Sequence, residues 1–148
     1  MKENPSAYLC SGFFTIDKEA NENQQHLDFF IPGKEKIFSF QLENDGKMKP
    51  LDTFDKAVPE KISLDFDLDF DDIEEIIEGR MEKDGMKDKI KKLIFSLQKI
   101  EQKNMLMGTI FISGFGLLKA NIDLKNNEII DFERKSFFDM IKVFKKND

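Results

Sequence analysis

In two separate stretches, residues 36–42 (KIFSFQL) and 62–70 (ISLDFDLDF), large apolar residues occupy every second position. That is the period of an extended strand, whose successive side chains point to opposite faces, so such a chain must build a sheet with an oily face to cover. The turns that fold strands back on one another are present too. Pro32-Gly33, Asn44-Asp45-Gly46, Ser113-Gly114-Phe115-Gly116 and Lys125-Asn126-Asn127-Glu128 interrupt the apolar runs with residues that favour tight reversals. The pattern predicts strands over residues 7–16, 26–31, 36–42, 62–70, 105–113, 117–124 and 128–134, with a further return strand at 48–51 weakened by Pro50.

Elsewhere the period becomes helical. Ile73, Ile76 and Ile77 form a stripe behind Asp71 and Asp72, either of which can cap the helix, because a short carboxylate accepts from exposed amide N–H groups. Gly85 then interrupts. From Met86, the residues Ile90, Leu93, Ile94, Leu97 and Ile100 fall on one side of a second helix, with Lys87, Lys91, Lys92, Lys99 and Lys103 off it. A third helix is expected over 136–146, with Phe137, Phe138, Ile141 and Phe144 inward and Lys145 and Lys146 at its negative end. The expected architecture is one α+β domain spanning residues 1–148, an antiparallel sheet of about six or seven strands packed against a central helical pair and a C-terminal helix. Residues 38–51 and 121–132 resemble each other only as two hairpins would.

Charge is concentrated. Nine carboxylates and one lysine lie between residues 60 and 78, more than the whole net charge of -6, so the rest of the chain is slightly basic. An acidic chain without a clustered positive surface is not a nucleic-acid binder. Sixteen Phe against one Tyr and no Trp give aromatic bulk without the polar handles of sugar platforms or binding hot spots. The lone Cys10 forms no internal disulfide. Ser11 and Gly12 break the N-terminal apolar run, and Leu9 stands where a lipoprotein cleavage site has a small residue. With no run near the roughly 20 apolar residues of a membrane helix, the expected location is the cytoplasm and no membrane partner is expected.

The acidic stretch poses the functional question. Asp67, Asp69, Asp71 and Glu78 reproduce part of the spacing of an EF-hand calcium loop, but Asp72 stands where that loop needs Gly and Glu74 where it needs an apolar residue. As a strand, the same segment puts Ser63, Asp65, Asp67 and Asp69 on one face, about 6.7 Å apart, where like charges repel unless lysines or solvent offset them. Other patterns are weaker. Asp-x-Asp triplets arise from the alternation; the Ser113–Gly116 turn lacks the helix N-terminus of a phosphate cradle; the basic side of residues 87–103, with Lys142, Lys145 and Lys146, is diluted by Asp84, Asp88 and Glu101. Cys10 and His26 are the chain's sole thiol and imidazole, and catalysis would require them to meet. With one His there is no Cys/His zinc set, and no cofactor motif is present.

These residues imply binding rather than catalysis. Asp65, Asp67, Asp69, Asp71, Asp72, Glu74, Glu75 and Glu78 would meet a basic protein surface, as an inhibitor or immunity-type protein does. The alternatives are a small apolar ligand in a Phe-lined cavity, or a divalent cation on the aspartates.

Overall fold

The computed structural model describes residues 7–20, 22–33, 36–41, 47–50, 60–62 and 68–136. Eight strands form one antiparallel sheet: β1 (Tyr8–Asp17), β2 (Glu22–Ile31), β3 (Lys36–Gln41), β4 (Lys47–Pro50), β5 (Ile90–Ile100), β6 (Lys103–Ile112), β7 (Gly116–Asp123) and β8 (Glu128–Ser136). Their order is β4-β3-β2-β1-β5-β6-β7-β8. Two four-stranded meanders thus join through β1 and β5, and the order of strands within each meander is the same counted outward from that seam. Pro50 ends β4 at the edge of the sheet, where a missing N–H costs least. One helix among the described residues, α1 (Phe70–Lys83), lies in the crossover from β4 at the edge to β5 at the centre.

The expected α+β arrangement, a sheet packed against a helical pair, is therefore corrected to a mainly β molecule with one helix among the described residues. The second helix of the pair does not exist: residues 90–100 are strand β5, bonded to β1 on one side and β6 on the other. Both periods are written into this segment. Leu93, Ile94 and Leu97 satisfy a helix, whereas Leu93, Phe95 and Leu97 satisfy a strand, and Phe95, which the helical stripe omits, is fully buried. The turn conceals the strand. Ile100 pairs with Lys103, so Glu101 and Gln102 alone make the reversal, with φ of 50° and 68°. A two-residue turn with both centres left-handed normally carries Asn-Gly, and Glu-Gln reads instead as more helix. The proposed C-terminal helix falls outside the described residues, except that Ser136 closes β8.

The sheet's two faces differ. On one, Ile73, Ile77 and Met81 of α1 pack onto Leu93, Phe95, Leu106, Ile110, Leu118, Ala120 and Ile122, all nearly or wholly excluded from solvent. Phe70 stands between Phe14 and Phe95, with ring centroids 4.8 and 5.7 Å away, so α1 begins on an aromatic seat spanning β1 and β5. Gly108 makes room for it: a Cβ there would lie 2.9 Å from the Phe95 ring and 3.2 Å from the Ala120 carbonyl oxygen. On the other face, the register aligns His26, Phe13, Ser96, Met107, Asn121 and Asp131 in one row across six strands. The next row is Gln24, Thr15, Ile94, Thr109, Lys119 and Glu133.

Two opposite changes test this account. Replacing Glu101-Gln102 by Asn-Gly should stabilise the protein by about 1 kcal/mol in denaturant titration, by relieving two left-handed residues. Gly108→Ala should destabilise it by about 1–3 kcal/mol, because the ring and the backbone it meets have no space to retreat into.

Candidate functional site

The helix that carries most of the acidic residues begins at Asp69, not at Asp71 or Asp72. Asp69 has extended backbone, and its Oδ1 accepts from the Asp71 and Asp72 N–H groups at 2.9 and 3.4 Å. Asp71 and Asp72 instead occupy the first turn, where their charge suits the positive end of the helix dipole. The far end is a Schellman closure. Gly85, at φ of 77°, donates to the Glu82 carbonyl, and the Met86 N–H reaches the Met81 carbonyl at 2.8 Å. The break expected at Gly85 is thus real, but the chain beyond it enters strand β5 instead of a second helix.

Along α1 the carboxylates sort by direction. At about 100° per residue, Asp71, Glu75, Glu78 and Glu82 lie within about 60° of one another, on the side away from Ile73, Ile77 and Met81. All four are exposed. Among the described residues none of them forms an ion pair, whereas the flanking acids do: Lys18 Nζ meets Glu74 at 2.7 Å and Arg80 Nε meets Asp84 at 3.2 Å. Glu82 was missed in the sequence because it lies beyond the dense acidic run, yet its i+4 spacing from Glu78 marks it. Asp65 and Asp67 lie outside the described residues, as does the middle of the strand expected over 62–70; of its described residues, 62, 68 and 69 are not strand and Phe70 already begins α1. Asp69, Asp71, Asp72, Glu74, Glu75 and Glu78 belong to one helix and its cap.

Helical geometry also bears on the calcium pattern. Nine residues of helix hold Asp69 and Glu78 about 13 Å apart, so they cannot close on one ion as loop ligands do. No group of three or more His, Cys, Asp or Glu converges among the described residues.

The other sequence candidates find structural roles. Cys10 donates its thiol to the Asp28 carbonyl oxygen at 3.4 Å and is buried. Ser11 Oγ donates to Asp28 Oδ2 at 2.7 Å, and His26 Nε2 lies 3.9 Å from the same oxygen. The carboxylate stands between hydroxyl and imidazole, which is the wrong order for a relay in which the imidazole must touch the nucleophile. His26 stacks on Phe13, ring centroids 5.2 Å apart. The Ser113–Gly116 segment is a hairpin turn whose Ser113 N–H is spent on the Lys89 carbonyl, with Phe115 projecting outward. The basic helical side disappears, since Lys91, Lys92 and Lys99 lie on strand β5 and not on a helix. Phe14, Phe70 and Phe95 fill the helix-to-sheet contact rather than enclosing a cavity.

No protein-family model and no curated protein matches the chain. A solved structure does: that of a "putative lipoprotein" from Clostridium difficile 630, with a TM-score of 0.56 and 14% identity, covering 88% of this chain and 84% of that one. At that identity the likeness is one of fold. No helix among the described residues is long and apolar enough to cross a membrane.

Burial pushes the Cys10 thiol up to about 11, with the nearby Asp28 carboxylate adding to the effect. A raised folded value means that the protonated form is favoured, so stability falls as pH rises from the ordinary thiol value through about 11. Iodoacetamide should therefore label Cys10 far more slowly in the native protein than in urea at pH 8. Separately, Asp69→Ala should cost about 1 kcal/mol of stability, since two amide donors lose their acceptor.

Proposed function

We propose that this protein works by binding, presenting the outer face of α1 to a basic protein surface. The observation that supports this reading is the unshared stripe of Asp71, Glu75, Glu78 and Glu82, exposed along a helix whose opposite side is locked into the core. Like charges one turn apart on a helix destabilise it, by roughly 0.3 kcal/mol per pair, and this chain retains such pairs without a lysine between them. A row of carboxylates on a rigid helix steers a cationic partner and holds it in one orientation. Asp72, Glu74 and the Asp69 cap flank the stripe at its N-terminal end. An inhibitor or immunity-type role fits such a surface. The reading places the protein in the cytoplasm, where Cys10 stays reduced; the lipoprotein neighbour shares the fold, and Leu9 before Cys10 argues against lipid attachment at that cysteine.

The variant Asp71→Asn, Glu75→Gln, Glu78→Gln, Glu82→Gln tests it. Binding to a defined oligolysine peptide at low salt should weaken at least several-fold, while thermal stability stays level or rises. A parent protein that does not bind, or a variant that binds equally well, would remove the proposal.

A further inference from the structure

The face of the sheet opposite α1 carries a groove of about 710 Å³, a size typical of small-ligand sites. Its floor combines apolar and hydrogen-bonding side chains. Phe13, Ile94 and Met107 supply the apolar part, and Phe13 and Met107 are 38% and 36% exposed, two of the few large apolar residues so open among the described ones. The row register seats Phe13 and Met107 on either side of Ser96, with Ile94 in the next row: Phe13 pairs with Ser96, Ser96 with Met107, and Ile94 with Thr109. Burying both exposed side chains under a ligand would remove the cost of leaving them in water.

The polar part selects the ligand's charge. Gln98 Nε2 donates to Ser96 Oγ at 2.8 Å, so the Ser96 hydroxyl already accepts one bond and its own proton is left to give. Thr109 stands directly across from Lys119, whose ammonium makes no ion pair among the described residues. The carboxylates lie at the β8 side of the groove: Asp131 accepts from Asn121 Nδ2 at 3.4 Å, and Glu133, across from Lys119 in the register, lies 3.9 Å from Lys135 Nζ. The donors in the middle of the groove are a cation, Lys119, and the hydroxyls of Ser96 and Thr109, which together suit an anionic acceptor. The geometry points to a small amphipathic carboxylate as the occupant, its chain or ring on Phe13, Ile94 and Met107 and its carboxylate on Lys119 with Ser96 and Thr109. This site is separate from the outer face of α1 and does not depend on the binding role assigned there.

Octanoate, octanol and octylamine share a chain and differ in head group, so they separate the contributions. Each would be titrated into the full chain while the Met107 methyl resonance is followed by NMR. Octanoate should shift that signal saturably and more tightly than the other two. Lys119→Met should weaken octanoate about tenfold or more, the weight of one charge-assisted hydrogen bond, and Lys119→Arg should restore most of the loss. Phe13→Ala should weaken octanoate and octanol alike, with its folded state checked by thermal denaturation. Octylamine binding as tightly as octanoate would mean that Asp131 and Glu133 dominate the groove, and would overturn the assignment. So would an octanoate affinity indifferent to Lys119, or a Met107 signal that none of the three compounds moves.

Discussion

Antiparallel pairing of β1 with β5 is the contact on which the rest of this molecule depends. It joins two meanders that are far apart in sequence, and its register sets Phe14 opposite Phe95 on one face and Phe13 opposite Ser96 on the other. The first pair makes the seat for Phe70 and hence for the start of α1. The second places an exposed aromatic ring on the face opposite α1. A slip of one residue would turn β1 over relative to β5, bringing Phe13 under the helix and moving Phe14 out of the aromatic seat. The apolar surface that α1 buries is what holds the register.

The two sides of the sheet then obey different physical rules. Under α1 the packing is close enough that Gly108 must lack a side chain for Phe95 to fit. Charges there are confined to the margins, where Lys18 ties the β1–β2 hairpin to Glu74 and the Arg80 guanidinium lies 4.9 Å over the Phe132 ring. The opposite side keeps mixed polar and apolar side chains in ordered rows, an arrangement that a covering layer would leave partly unsatisfied and that a bound molecule could complete. Binding surfaces on a rigid sheet and a well-capped helix lose little entropy on association, since the backbone is already fixed.

The residues that look most reactive in the sequence turn out to be structural. Cys10, Ser11, His26 and Asp28 gather on β1 and β2, but the thiol is spent on a carbonyl and the carboxylate separates the hydroxyl from the imidazole. The fold shared with the Clostridium difficile protein at 14% identity carries architecture across this distance and leaves the surfaces to differ.

Local chemistry alone located seven of the eight strands within a few residues, the helix behind the aspartates, the stop at Gly85 and most of the acidic residues that α1 displays, because each of these is written in neighbouring residues. Period two, turn-forming residues and capping carboxylates act over a few positions and need no partner to be read. The eighth strand, β5, was hidden because its helical and extended patterns share Leu93 and Leu97, and because Glu101-Gln102 turns the chain without a turn-forming residue. Which pattern prevails there is decided by β1, remote in the sequence, and by the core that closes over Phe95. The choice of Asp69 as the cap, the sorting of α1's acids into paired and unshared, and the rows of the open face were likewise decided only in three dimensions, since each depends on which face of an element another element covers.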